Sequence, residues 1–208
     1  MKYIIFLMST LFLTQSFSQS IDVNYYTTGA GNNFSLVYSH EFNKNEFGLG
    51  LGVNINSLTQ YDDQSNFFYK RLFATKPIHN LNFNFTYDRK VFTSLKHIKP
   101  FIFYDLQVKY STTRSKLVIP YSYDSTLVVN SPEEGILYRE YLNFFGPFTW
   151  IENSIGFGWR VNINEKFYLK NKFGGGIYFI IGKDKRLAPN KYRFEFMWLT
   201  NFSLGYKF

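Results

Sequence analysis

The sequence predicts an all-β chain: an eight-stranded antiparallel up-and-down transmembrane β-barrel over residues 19–208, behind a signal peptide at 1–18. Three observations carry this reading. Apolar and polar residues alternate with period two along eight segments. The connections are mostly short on one side of those segments and long on the other. Aromatic residues are abundant: 25 Phe, 17 Tyr and 3 Trp among 208 residues. That is more than one narrow lumen can hold, and it suits a surface bathed in lipid.

The leader comes first. Lys2 gives a positive start, and Tyr3 to Leu13 give an apolar run. The run is too short for a membrane helix, which needs about 20 residues. Ser16 and Ser18 place small residues at the −3 and −1 positions of a cleavage site. Later apolar stretches are all broken by charged or amide residues. The chain has no cysteine, which excludes disulfide frameworks, thiolate metal sites, cysteine nucleophiles and a lipoprotein anchor.

The strands follow in order. A first, weaker one runs from about Ile21 to Thr28. In the second, Phe34, Leu36, Tyr38 and Phe42 oppose Asn33, Ser35, Val37, Ser39 and Glu41, with His40 on the apolar side. In the third, Phe47, Leu49, Leu51, Val53 and Ile55 oppose Glu46, Gly48, Gly50, Gly52 and Asn54. In the fourth, Leu81, Phe83, Phe85 and Tyr87 oppose Asn80, Asn82, Asn84, Thr86 and Asp88. The fifth sets Ile102, Tyr104, Leu106, Val108 and Tyr110 against Phe103, Asp105, Gln107, Lys109 and Ser111. In the sixth, Ile151, Ile155, Phe157, Trp159 and Val161 oppose Trp150, Glu152, Ser154, Gly156, Gly158, Arg160 and Asn162, with Asn153 interrupting the apolar set. The seventh sets Phe167, Leu169, Phe173, Ile177 and Phe179 against Tyr168, Lys170, Lys172, Gly174, Gly176 and Tyr178. The eighth is the longest alternation and runs from Tyr192 to Phe208. A helix would smear these sets around its circumference; a strand sends successive side chains to opposite faces.

The links sort by length. Those at 43–45, 89–98 and 162–164 are short to medium and belong on the periplasmic side. Those at 57–78 and 114–147 are long and belong outside. The link at 182–190 is intermediate, and 29–32 is a short exception. Within the long 5–6 link, the stretch from Leu117 to Val129 is β-prone and could extend its strands as a hairpin. Two hairpin registers can be written down. A three-residue 6–7 turn sets Gly156 against Lys170 and Gly158 against Tyr168. A four-residue 2–3 turn sets Phe42 against Phe47 and Glu41 against Gly48.

Alternation alone does not say which face is inside. The polar face carries most of the strand glycines, which suits a cramped interior. The chain ends on Phe208, with Tyr206, Leu204 and Phe202 at every second position before it. This ending resembles the C-terminal assembly signal of bacterial outer-membrane barrel proteins. The whole mature chain is similar to the small eight-stranded barrels of the OmpA/OmpX-like superfamily, although no subfamily can be matched. The resemblance implies a cell outer-membrane location, recognition of Phe202, Leu204, Tyr206 and Phe208 by the barrel-assembly machinery, and a lipid and lipopolysaccharide environment.

The lumen of an eight-stranded barrel is just wide enough for side chains to fill it. By parity it receives Glu41, Glu46, Asp88, Asp105, Lys109, Glu152, Arg160, Lys170, Lys172, Arg193 and Glu195. An unpaired desolvated charge costs several kcal/mol, so mixed signs there predict an ion-pair plug in preference to a narrow ion path.

Chemistry is sparse. A lipid-modifying enzyme would need a histidine and a serine near the outer rim. Ser39 and His40 point to opposite faces, His97 falls in a periplasmic turn, and only His79 lies near the outer side. The acid pairs Asp62–Asp63 and Glu133–Glu134 lack the spacing of a calcium loop. No catalytic, cofactor or metal residues are assigned. The net charge is +8, but the basic residues are scattered and match no nucleic-acid motif. Outer-loop cations such as Lys70, Arg71, Arg114, Lys116, Lys183, Lys185 and Arg186, with neighbouring tyrosines and phenylalanines, suit lipopolysaccharide phosphates or an envelope protein partner. The expected function is a non-enzymatic envelope protein with a structural or surface-interaction role. The alternatives are a membrane-anchored subunit of a secretion or conjugation assembly and an outer-membrane lipid-modifying enzyme.

Overall fold

The structure, a computed structural model, describes residues 18–55, 76–92, 98–120, 138–182 and 192–208. Eight strands run β1 (Ser18–Thr28), β2 (Asn32–Phe42), β3 (Asn45–Ile55), β4 (Leu81–Lys90), β5 (Ile98–Pro120), β6 (Tyr138–Asn162), β7 (Phe167–Ile181) and β8 (Tyr192–Lys207). Each pairs antiparallel with its sequence neighbour, and β1 pairs with β8, so the sheet closes into a barrel in chain order. Closure gives every wall strand two partners and leaves no sheet edge in the wall, the arrangement that lets β-structure cross a bilayer.

The alternation fixes the faces. Phe34, Leu36, Leu49, Leu51, Phe83, Ile102, Phe157, Phe173, Phe194 and Phe202 all point outward and are exposed, and Phe196 reaches 83 %. Their strand neighbours Ser35, Asn84, Asp105, Gln107, Ser154, Arg160, Lys172 and Ser203 are buried inside. Aromatic contacts band the outer surface near both ends: Phe47–Tyr87 and Phe167–Tyr206 at the turn end, Tyr25–Phe34 and Phe179–Phe194 at the loop end. Two belts of this kind flank the apolar band of a membrane barrel.

Expectations about four connections need correction. The 6–7 hairpin pairs Arg160 with Lys170, so Gly156 faces Gly174 and Gly158 faces Lys172. The Asn164 side chain accepts hydrogen bonds from the Lys166 and Phe167 amides and makes a longer turn than the one expected. The 2–3 hairpin pairs Phe42 with Asn45 and Glu41 with Glu46, and Gly48 faces Ser39. Here Asn43 takes φ +55°, a left-handed conformation that asparagine tolerates, so the chain reverses sooner than expected.

The 5–6 link also differs from the loop expected at 114–147. Backbone pairing continues from Thr113↔Phe145 to Pro120↔Tyr138, after an irregularity between Ser111 and Thr113. Among the described residues, the β4–β5 ladder extends to Lys109 and the β6–β7 ladder to Thr149. Beyond them β5 and β6 form a two-stranded ribbon standing on the loop end. Among the described residues Pro147 has no ladder partner: it falls at the irregularity between the Ser111↔Phe148 and Thr113↔Phe145 pairs and beyond the Thr149↔Ile181 pair with β7, so no ladder bond is demanded of it. In the 4–5 link, pairing runs on past the expected strand end, with the Val91 amide donating to the Pro100 carbonyl. A short 3-10 turn, Pro77–Asn80, precedes β4.

The leader falls on residues outside the described set, except Ser18, which begins β1 opposite Glu41. His97, the acid pairs Asp62–Asp63 and Glu133–Glu134, and the loop cations Lys70, Arg71, Lys183, Lys185 and Arg186 also lie outside it.

Candidate functional site

The chemistry of the molecule is concentrated in the lumen. At the turn end, Glu41 on β2 takes Lys90 and the Arg160 Nη1 group, the latter at 3.1 Å. The same Nη1 donates to Glu46 on β3 at 3.0 Å. Lys170 also pairs with Glu46 and reaches Asp88 at 3.0 Å and Asp22 at 3.6 Å. One step further in, Lys172 bridges Asp88 at 2.7 Å and Asp105 at 2.9 Å, and donates to the Thr86 hydroxyl at 2.9 Å.

This network draws on every strand from β1 to β7. Its carboxylates come from β1 to β5 and its chief cations from β6 and β7, so the ion pairs run across the lumen as well as along its wall. All of these groups except Glu41 and Lys90 are buried. Their mutual geometry therefore decides whether the interior is stable, because any partner removed leaves a charge with no water to replace it. The β8 wall is neutral here: Asn201 and Ser203 both hydrogen-bond the Asn24 side chain.

Aromatic rings wall the charges in. The Arg160 guanidinium stacks 3.7 Å over the Tyr168 ring, and Lys172 lies 5.1 Å from the centre of Phe103. Glycines make room for these rings. A Cβ on Gly205 would sit 2.1 Å from Tyr168 Cζ. A Cβ on Gly156 would sit 2.6 Å from the facing Gly174 Cα and 2.9 Å from Phe103 Cε1. The inward-facing glycines are thus the hollows into which large lumen side chains fold.

Toward the loop end the chemistry changes. Lys109 pairs with Glu152 at 2.7 Å, and the Thr28 hydroxyl joins both. Beside them Asn33 donates to Gln107. Above lies an apolar cap of Ala30, Phe148, Trp150, Tyr178, Ile180 and Met197, in which Trp150 is completely buried and meets Phe148 edge-on.

Of the residues expected in the lumen, the structure brings Glu41, Glu46, Asp88, Asp105, Arg160, Lys170 and Lys172 into one network and joins Lys109 to Glu152 separately. Glu195 takes no part in either; it accepts the Tyr178 hydroxyl beside the apolar cap. Arg193 pairs with Ile180 through its backbone, and its side chain is outside the described set. Two participants were not expected: Asp22, on the weakly patterned first strand, and Lys90, assigned to a link. Both shared the parity of lumen residues, Asp22 with Asn24 and Lys90 with Asp88, which is the signal that could have found them. Phe202, Leu204, Tyr206 and Phe208 all face outward and are exposed.

The two described histidines, His40 and His79, are apart from this site. Ser39 points inward and donates to Asp22, while His40 lies on the outer face. His79 is buried in the 3-10 turn, edge-on to Tyr110.

The arrangement is polar inside, apolar outside and closed. The fold is an inside-out eight-stranded barrel. No protein-family model and no curated protein matches the sequence. Among solved structures, the chain is similar to the N-terminal β-barrel domain of Pseudomonas aeruginosa OprF at 13 % identity, covering 92 % of this chain and 97 % of that one, with a TM-score of 0.48. It is also similar to Neisserial surface protein A at 12 % identity, with 93 % and 96 % coverage and a TM-score of 0.41. A major outer membrane protein from Thermus thermophilus shares 11 % identity, with 93 % and 100 % coverage and a TM-score of 0.41. The fold assignment here rests on the closed strand register and the inverted polarity of the two faces.

Proposed function

We propose that the chain is a non-enzymatic outer-membrane barrel protein with a structural or surface-interaction role and a plugged lumen. The observation that carries this reading is the buried ion-pair network, roofed by the apolar cap around Trp150. A conducting path needs a continuous column of water. Here each buried cation is held by a carboxylate on another strand, and breaking such a pair costs about 3–5 kcal/mol. The outer belt of exposed aromatic and aliphatic residues supports a membrane location, since soluble monomers rarely expose an apolar surface larger than a few hundred Å². The β5–β6 ribbon, standing above that belt, is the part of the described chain best placed to meet lipopolysaccharide or a protein at the cell surface.

The test is single-channel recording in planar bilayers. The protein should insert without stable conductance above leak; reproducible steps of defined size would replace the plug by an ion path. A second part of the reading concerns biogenesis. Phe202, Leu204, Tyr206 and Phe208 are the proposed recognition surface for the barrel-assembly machinery. Deleting Phe208 should lower the amount of folded, heat-modifiable protein in membranes, and unchanged amounts would remove that role.

A further inference from the structure

The turn end of the barrel carries charge that the lumen network does not consume. Lys99 and Lys207 share the inward parity of Phe101 and Gly205, so they line the mouth of the lumen and not its lipid-facing rim. Lys99 stands opposite Arg160 in the ladder, and Lys207 opposite Ser20. Lys207 lies within electrostatic reach of Lys90, Lys99 and Arg160, with Glu41 as the nearby carboxylate. Glu41 is already shared between Lys90 and Arg160. Among the described residues, neither Lys99 nor Lys207 has an ion-pair partner.

Two further observations point the same way. Lys44 and Lys166 project from the adjoining turns and are exposed, with Glu165 as the acid beside them. Deeper in the mouth, Arg160 is 1 % exposed and spends only Nη1 on its carboxylates. Its Nε and Nη2, the side-on fork that fits a carboxylate, have no hydrogen-bond partner.

We propose that this mouth is a docking site for a flexible acidic peptide segment approaching along the barrel axis. The geometry selects the occupant. An opening of this width admits side chains or an extended chain and not a folded domain. A lipid headgroup in the surrounding leaflet meets the outer face, where Arg89 lies, and not the inward-facing lysines. A peptide with successive Asp or Glu residues can present carboxylates to Lys99 and Lys207 while its backbone stays in water. That the segment would come from the periplasm rests on the proposed outer-membrane orientation; the site itself does not.

The experiment uses the full folded protein in zwitterionic detergent and a fluorescent hexaglutamate peptide, read by anisotropy, so membrane orientation does not enter. Saturable binding is expected, weakening as salt rises. The double variant Lys99→Gln/Lys207→Gln should bind about five- to tenfold more weakly while keeping its heat-modifiable folded form. Neither lysine is in an ion pair that holds the barrel, so this variant should fold. Binding that is absent in the parent protein, or equal in the double variant, would overturn the proposal. Displacement of the peptide by phosphatidylglycerol in nanodiscs would overturn it in favour of a lipid headgroup.

Discussion

The two halves of the lumen are lined by the same face of neighbouring strands, yet they are filled by different means. The turn-end half holds Asp22, Glu46, Asp88 and Asp105 against Arg160, Lys170 and Lys172. The loop-end half holds, among the described residues, the pair Lys109–Glu152 beneath a cap of large apolar groups. In the first half Glu46, Asp88, Arg160, Lys170 and Lys172 each have more than one ionic neighbour, so none of these can be removed without leaving a charge short of a partner. In the second the pair is nearly self-contained, and packing against Trp150 and Phe148 does the rest. Equal enclosure therefore does not imply equal tolerance of substitution.

The comparison can be broken by three variants, taken from the largest expected effect. Lys170→Met leaves Glu46, Asp88 and Asp22 short of a cation and should cost about 3–5 kcal/mol of unfolding free energy in a urea titration of the lipid-embedded protein. A loss below about 1 kcal/mol would show that the network is not what fills the turn-end half. Trp150→Ala removes the largest side chain of the cap and should cost about 3 kcal/mol, the low end of the range for aromatic truncation, because the cap lies at the lumen's end. The smallest effect belongs to the double change Lys109→Met/Glu152→Leu, which removes an isolated pair together. Stability within about 1 kcal/mol of the parent is expected, since replacing a buried pair by apolar groups is often neutral or better. A loss as large as that of Lys170→Met would erase the distinction between the halves.

The faces were legible in the sequence because parity is a local property: once Phe157 and Trp159 face out, Gly158 and Arg160 must face in. Register was not, because it is set by the turns. Asn43 chooses a left-handed backbone and Asn164 folds its side chain back on two amides; neither choice is written in the alternation. The contents of the lumen were therefore mostly readable and their pairing was not: Gly156 meets Gly174 and not Lys170. Asp22 and Lys90 escaped notice for a related reason. One sits on a strand whose apolar face is thin, the other beside a link whose length hid the end of β4. The alternation anticipates the β5–β6 ribbon only in part, because Pro120 and Pro147 look like loop, whereas Pro120 stands at the end of the described pairing and Pro147 at the irregularity within it.

The division of charge by strand has a consequence for biogenesis. A sheet that has formed only through β5 already holds Asp22, Glu41, Glu46, Asp88 and Asp105, with Lys90, Lys99 and Lys109 as the inward-facing cations from β4 and β5 among the described residues. Arg160, Lys170 and Lys172 arrive only with β6 and β7. An unfinished wall thus carries more inward-facing acids than cations among the described residues, and the β6–β7 hairpin, which precedes the closing strand β8 in the chain, brings the neutralising side chains. The acids are thus answered before the cylinder is sealed: in chain order, β8 closes on a lining whose carboxylates already have their cations.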